Sequence, residues 1–363
     1  MTDFAPIRVI GLMSGTSADG VDAALVETDG ETEFSFLSSL TVPYDSDLRD
    51  HLINAAQFDC PVIELMQLER RLTEVHVAAC SELVKQTGHS IQDVQLIGFH
   101  GHTIRHNAEQ RLTWQLGDAS LLAESTQCPV VHDFRRRDIA AGGQGAPLAP
   151  LFHRMLAKPL PRPTAILNIG GVANITWIGP SEEIMAADTG PGCGLLDTWV
   201  QHQFNVPFDR DGAFSKQGSP NEAVIRDALD LPFFRKPIPK SADRFEFDAI
   251  DVTHLDAADG AATLCAITVT GVTSVVRQLP QPPKAIWVTG GGSRNPTIVS
   301  MLQRELGDVR PIEGAGLRSE SLEAECFAWL AVRRIRNLPT SLPQTTRCEN
   351  PTCGGSVTGN PVT

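Results

Sequence analysis

Twice in this chain an apolar strand runs into glycines and turns straight back into a second apolar strand. Residues 7–26 read Ile-Arg-Val-Ile-Gly-Leu-Met-Ser-Gly-Thr-Ser-Ala-Asp-Gly-Val-Asp-Ala-Ala-Leu-Val, and residues 165–177 read Ala-Ile-Leu-Asn-Ile-Gly-Gly-Val-Ala-Asn-Ile-Thr-Trp. Glycine at a turn admits positive φ and leaves backbone N–H groups uncovered, so consecutive amides can point into one concavity and take phosphate oxygens. The hydroxyls of Ser14, Thr16 and Ser17 add donors to the first turn, and Asp19 and Asp22 stand beside it. Either turn alone could be an ordinary hairpin with glycine for its geometry; the pair predicts two jaws on a polyphosphate. Neither is a Walker loop, because no Lys lies in or beside either turn and the residues that follow read as a strand instead of a helix.

With 363 residues the chain is long enough for two domains of about 100–200 residues each. Strand and helix signals alternate along it, which predicts an α/β protein with central sheets. Leu65, Leu68, Leu72, Val75, Ala79 and Leu83 fall at helical spacing within residues 62–85, giving one face to pack on the first sheet. Residues 96–100 read as a strand ending in a polar loop, 101–106, and 130–133 as a further short strand; function gathers where strands end. The Gly/Pro-rich stretch 141–150 precedes the second hairpin and puts the domain change near 133–150. Ser219 with Pro220, and Asn295 with Pro296, read as N-caps and first helical positions, the second helix stopping at Gly307. Residues 231–251 read as a long loop or lid with short structure. Residues 260–279 read as a buried helix or, given their β-branched content, a strand pair. Residues 320–336 read as a helix with Leu322, Phe327, Leu330, Ala331 and Ile335 on its apolar side.

A formal net charge of −13 argues against the basic face that a nucleic acid or an anionic membrane needs, so an anionic ligand has to be held by local groups. No apolar run approaches about 18 residues, and the first residues do not form a basic segment leading into an apolar stretch. A soluble cytoplasmic protein is the expectation. The eight cysteines are scattered and predict reduced thiols; Cys348 and Cys353, the one close pair, have no second pair at zinc spacing.

Residues 185–199, Met-Ala-Ala-Asp-Thr-Gly-Pro-Gly-Cys-Gly-Leu-Leu-Asp-Thr-Trp, read as a strand end, a turn and a helix from near Gly194. Asp188 then stands at a strand's C-terminal edge, where a carboxylate can take a proton from water or a hydroxyl, or merely cap the turn. An aspartic protease would need a second such motif on an all-β frame. The triple glycine Gly290-Gly291-Gly292, between a strand and a helix start, is a seat for a nucleotide's base, ribose or phosphate, although it does not fit G-x-G-x-x-G. His100, His102 and His106 invite a metal, yet no Asp or His completes a ligand set, and imidazoles on a strand-end loop more often bond to ligand or backbone. Arg135-Arg-Arg-Asp138 could grip a carboxylate or be a solvated charge run. Glu323 in the first turn of its helix reads more readily as a carboxylate complementing the helix dipole than as a site residue.

In chain order, Gly11-Leu-Met-Ser-Gly-Thr-Ser-Ala-Asp-Gly-Val-Asp22, His100-Gly, Asp133-Phe-Arg135 with Asp138, Gly142-Gly-Gln-Gly-Ala-Pro-Leu148, Asn168-Ile-Gly-Gly-Val-Ala-Asn174, Asp188-Thr-Gly-Pro-Gly192, Gly290-Gly-Gly292 with Asn295-Pro296, and Glu323-Ala324 with Phe327-Ala-Trp-Leu330 resemble the anhydro-N-acetylmuramic acid kinases. The motifs run from residue 9 to about 333, and the tail at Ser356-Val-Thr-Gly359 is similar too. The resemblance implies an α/β, two-domain actin-like ATPase (ribonuclease H-like) fold with an interdomain cleft, the domains being 1–133 plus 346–363 and 134–345. It implies ATP and Mg²⁺ as cofactors, 1,6-anhydro-N-acetylmuramic acid as substrate, N-acetylmuramate 6-phosphate and ADP as products, and a role in peptidoglycan recycling; a homodimer is common in the family. By the same resemblance Asp188 is the general base that activates water. Gly15, Thr16, Ser17, Ala18, Asp19, Gly20, Val21 and Asp22, with Gly170, Gly171, Gly291, Gly292 and Asn295, hold ATP. Arg135, Glu323 and His100 line the sugar pocket, with Arg135 facing the lactyl carboxylate, and Asp19 holds the metal through water. Three departures stand out: His102 where Gln is usual, Cys193-Gly194 where Asn commonly follows Thr-Gly-Pro-Gly, and Lys240-Ser-Ala-Asp-Arg-Phe where the pattern is Lys-Ser-Thr-Gly-Arg. Two rival readings are an ordinary kinase of the same fold acting on a free hydroxyl and a non-catalytic ATP-driven clamp.

Overall fold

In the computed structural model, which describes residues 4–242 and 244–359, the first glycine hairpin is β1 (Ile7–Ser14) and β2 (Gly20–Thr28), followed by β3 (Phe34–Pro43), β4 (Leu96–Asn107), β5 (Leu112–Leu116) and β6 (Val130–His132). The second hairpin is β7 (Thr164–Ile169) and β8 (Val172–Ile178), followed by β9 (Ile184–Pro191), β10 (Ile286–Thr289) and β11 (Val309–Pro311); β12 (Ser356–Thr358) ends the described chain. The strands form two sheets, ordered β12-β6-β4-β1-β2-β3, with β5 on β4, and β11-β10-β7-β8-β9. In each sheet an antiparallel three-stranded meander is extended by two strands parallel to its first: β4 and β6 beyond β1, β10 and β11 beyond β7. This is the ribonuclease H-like strand order, made twice, so the duplication visible in the hairpins extends to whole sheets. The α/β actin-like ATPase class expected from the sequence is the class observed.

Two units carry these sheets: residues 4–155 with 320–359, and residues 156–319. In the first, parallel entry from β3 to β4 requires a crossover, supplied by helices Ser46–Gln57 and Val62–Thr87. Leu68, Leu72, Ala79 and Leu83 of the longer helix bury against Ile10, Leu12, Leu25 and Ile97. Helix Leu322–Ile335 packs on β1, β2 and β4. Its approach is set by two glycines: a Cβ on Gly11 would stand 1.8 Å from the Ala324 carbonyl oxygen, and one on Gly98 would stand 2.1 Å from that of Phe327. Backbone therefore lies on backbone, and neither partner can yield as a side chain would. Gly98→Ala is expected to lower stability by about 3 kcal/mol, read as a fall in the thermal midpoint; an unchanged midpoint would refute this packing account.

The unit boundaries differ from those expected at 133 and 346. The chain leaves the first unit after residue 155 and rejoins it at 320. Phe152, with its ring 5.2 Å from that of Phe34 and 5.8 Å from that of Trp329, ties residues 150–155 there. The apolar face of 322–335 was legible in the sequence, but not which sheet it covers. β12 returns the tail to β6.

Other differences are local. The loop expected at 101–106 is the continuation of β4, because β5 pairs with it from His102 to Asn107. The helix expected from Ser219 begins at Glu222 and is capped by Asn221, whose side chain accepts the Ala223 and Val224 N–H groups. Contrary to the expectation of no long apolar run, helix Ala257–Val276 is long and apolar enough to cross a membrane. It is instead the mostly buried core helix of the second unit, with Gly260 against the Trp199 ring and Gly271 against the Thr189 carbonyl. The 231–251 segment holds short helices, Pro232–Arg235 and Arg244–Phe247. Asp243, within the departure at 240–245, lies outside the described residues. All eight cysteines are free thiols.

His76 and His153 are buried and His106 is half-buried, all in the first unit, and loss of water, joined at His106 by the Arg135 charge, pushes each imidazole down to about 4. Their folded values lie below the unfolded value of about 6.5, so the unfolded chain binds protons first. Stability is complete above pH 6.5 and is lost as pH falls toward 4, by up to about 3 kcal/mol per histidine. Hydrogen exchange between pH 7 and 4 should show the first unit opening before the second; the reverse order would contradict it.

Candidate functional site

In the second unit, the C-terminal ends of β7, β9 and β10 lie along one edge of the sheet, where α/β proteins place ligands. The Gly170–Gly171 turn is clasped by the turn after β9. Cys193 N–H donates to the Gly170 carbonyl at 2.7 Å, while Gly192 and Gly194 donate to that of Gly171 at 2.9 and 3.2 Å. Gly192 allows this contact, since a Cβ there would be 2.0 Å from the Gly170 oxygen. The third glycine turn joins them: a Cβ on Gly292 would meet Ile169 Cγ2 at 2.3 Å and Cys193 Sγ at 2.9 Å. Gly170 and Gly291 are different. A Cβ on Gly170 would have the Val172 oxygen at 3.6 Å as its nearest neighbour, and one on Gly291 would have nothing within 4 Å. Neither has positive φ. Packing does not demand glycine at these two positions, so their bare backbone is open for something to approach.

Asp188 is buried near the end of β9. Its N–H donates to the Lys240 carbonyl at 2.8 Å, and its Oδ2 accepts the Ala242 N–H at 2.8 Å. A carboxylate whose rotamer is set by a backbone amide is pre-aimed, as a general base must be. Asn295 is committed elsewhere. Its Oδ1 caps the helix Pro296–Leu306 at Thr297 and Ile298, and its Nδ2 donates to Asp209 at 3.1 Å. Any contribution it makes to a nucleotide therefore acts through the placement of that helix.

In the first unit, the turn between β1 and β2 leaves Thr16, Ser17 and Asp19 exposed, with Gly15 half-buried, while Ala18 (φ 53°) and Val21 point into the core. Ser14 is not a free donor: it is buried, accepts the Tyr44 hydroxyl at 2.8 Å, and lies 2.9 Å from His102 Nδ1. Asp22 accepts the Thr41 hydroxyl at 2.6 Å; burial lifts its carboxyl above the ordinary range, Asp19 and Glu320 add to that, and Thr41 opposes it. Asp19 Oδ1 is 3.4 Å from the Arg49 guanidinium.

His100 and Arg135 meet beside helix Leu322–Ile335, whose first turn carries Glu323. The His100 ring lies 4.5 Å from that of Phe327. Its Nδ1–H donates to the Gly101 carbonyl at 2.9 Å, and its Nε2 accepts Arg135 Nε–H at 3.0 Å. Burial first, and then the Arg135 charge, keeps this imidazole neutral, with its pKa well below the usual range. His100 thus steadies Arg135, which also donates Nη1–H to the Gly145 carbonyl at 2.8 Å. The charges of Glu323 and Arg135 both act on the buried Cys326 thiol, and the Glu323 side chain is exposed. Beside His100 a cavity of about 160 Å³ is lined by Gln115, Leu116, His132, Asp133 and Arg136. The remaining basic residues of the 135–137 run are exposed, and Asp138 is a buried tie, accepting Gly145 N–H and the Ser341 and Thr346 hydroxyls. His102 and His106 face different partners, Ser14 and Thr113, and among the described residues no three His, Cys, Asp or Glu side chains are grouped to hold a metal. An exposed carboxylate such as Asp19 suits a Mg²⁺ that keeps its waters, not a protein cage.

Sequence reasoning missed Lys240 and Ala242 as partners of Asp188. Nothing local signals a contact between residues 54 apart.

The profile of the anhydro-N-acetylmuramic acid kinase family matches residues 7–360. The anhydro-N-acetylmuramic acid kinase of Acidiphilium cryptum is 46% identical, covering 97% of this chain and 98% of its own length. Those of Rhodospirillum rubrum, 45% identical over 96% and 94%, and Rhizorhabdus wittichii, 43% identical over 97% and 98%, are similar to the same extent. Likeness at this level along nearly the whole of each chain leaves no room for a shared domain in an otherwise different protein, and this chain belongs to the anhydro-N-acetylmuramic acid kinase family.

Proposed function

We propose that this protein is an ATP-dependent kinase that opens 1,6-anhydro-N-acetylmuramic acid with water and phosphorylates O6, giving N-acetylmuramate 6-phosphate and ADP. The observation that carries the reading is Asp188, a buried carboxylate aimed by the Ala242 amide at the sheet edge that also holds the open Gly170 and Gly291 backbone.

An anhydro sugar has no free 6-hydroxyl. Water therefore gives a proton to Asp188 as its oxygen attacks C1, the C1–O6 bond breaks with its electron pair going to O6, and O6 takes the γ-phosphoryl group as ADP leaves. Phosphoryl transfer asks mainly for alignment and charge neutralisation. Gly15 to Asp22, the Gly170–Gly171 turn and Gly291–Gly292 are the proposed phosphate and nucleotide contacts. Mg²⁺ bound with ATP neutralises phosphate charge, and Asp19 is the residue proposed to hold its waters. Arg135 and Glu323 are proposed to face the sugar, with His100 acting through Arg135. The substrate is a cell-wall sugar and the co-substrate is ATP, so the proposed setting is peptidoglycan recycling in the cytoplasm. A homodimer is proposed as the solution state, to be checked by light scattering.

The test is isotopic. Single turnover in H₂¹⁸O is expected to put label at C1 and none in the transferred phosphoryl group. Early time points with an unlabelled-product control correct for anomeric exchange. A product that keeps its anhydro bridge, or one phosphorylated on another hydroxyl without C1 label, would overturn the hydrolytic mechanism in favour of an ordinary sugar kinase.

A further inference from the structure

Lys240 is 1% exposed, and a buried ammonium is costly unless it is well partnered. Its partners are unusual. Nζ donates to the Phe233 carbonyl at 3.1 Å and stands 4.2 Å from the centre of the Phe233 ring and 5.9 Å from that of Phe234, a cation–π seat. Phe233, Phe234 and Phe247 pack on one another with centroids 5.1 to 6.1 Å apart, so the seat is braced. The Lys240 carbonyl accepts the Asp188 N–H, and two residues later the Ala242 N–H donates to Asp188 Oδ2. One short run thus grips Asp188 by backbone and by carboxylate, and its side-chain anchor is the caged ammonium. Among the described residues the charged groups acting on Lys240 are Asp188, Lys236 and Glu246, and the last two pair with each other at 2.7 Å. Burial draws the ammonium down to about 8, against the pull of Asp188.

We propose that Lys240 is a positioning residue for the reaction: its ammonium, caged by Phe233 and Phe234, pins residues 240–242 against β9 and so aims the Asp188 carboxylate. This rests on the reading of Asp188 as the base.

The experiment compares the pH profile of kcat, the KM for ATP and the thermal midpoint in the wild type, Lys240→Met, Lys240→Arg, Phe233→Leu and Asp188→Asn. Methionine fits the apolar cage and removes the charge. Lys240→Met is expected to lose about 10–100-fold in kcat with the KM for ATP within about twofold, and to move the acid limb of the profile upward, because the charge that acts between Lys240 and Asp188 is gone. Lys240→Arg should return the limb toward its wild-type position. Phe233→Leu, which keeps the ammonium and removes the ring beneath it, should lower kcat by a smaller factor, and it decides the matter if Lys240→Met does not fold. Wild-type kcat and acid limb in Lys240→Met, or in Phe233→Leu where that variant decides, would overturn the proposal. So would a kcat loss that tracks the thermal midpoint with an unmoved limb. If Asp188→Asn itself turns over normally, the reading of the base falls and this proposal with it; if Asp188→Asn is inactive while Lys240→Met is normal, only the role of Lys240 falls.

Discussion

Asp188→Asn is expected to lower turnover by about 10²–10⁴-fold, the usual cost of losing a general base, while the KM for ATP stays within about threefold. Asparagine has the same shape, and its amide oxygen can still accept the Ala242 N–H that fixes the side chain at 2.8 Å. The fold and the edge of β9 therefore have no reason to change. What the amide cannot do is take the proton of the attacking water. Product formation followed by mass spectrometry, beside a coupled assay of ADP release, measures the loss. A variant with near-normal turnover would remove Asp188 from the mechanism.

Gly170→Val should weaken ATP binding at least tenfold, equivalent to about 1.4 kcal/mol, with little change in sugar affinity or thermal midpoint. What surrounds each glycine decides the outcome. At Gly170 a Cβ makes only ordinary contact with the chain, at 3.6 Å, so the folded protein tolerates it and an approaching phosphate does not. Gly292→Val is the contrasting variant. Its Cβ would lie 2.3 Å from Ile169 Cγ2, so the turn must shift and the thermal midpoint should fall along with binding. Calorimetric titration and circular dichroism on the two variants separate the cases. Equal loss of ATP and sugar binding in Gly170→Val, with a lowered midpoint, would mean that this turn is an ordinary hairpin.

The sequence by itself determined the elements whose causes are local. Glycine between two apolar strands makes the hairpins at 7–26 and 165–177 legible, helical spacing does the same for Val62–Thr87 and Leu322–Ile335, and Asn295 before Pro296 marks a helix start. The ordered motifs were enough to reach the family. Tertiary structure alone decided how those pieces meet. Helix Leu322–Ile335 covers the first sheet because Gly11 and Gly98, hundreds of residues earlier, leave room for its backbone. Residues 101–107 remain strand because β5 supplies hydrogen bonds that the loop-like composition conceals. Ser14 turns inward to Tyr44 and His102, and Asn295 spends its amide on Asp209. Lys240 reaches Asp188 across the fold. Turns, caps and amphipathic faces depend on neighbours within a few residues, so composition and spacing record them. Where a polar side chain is spent depends on which distant partner burial brings within 3 Å, and that is settled only when the sheets and their helices have packed.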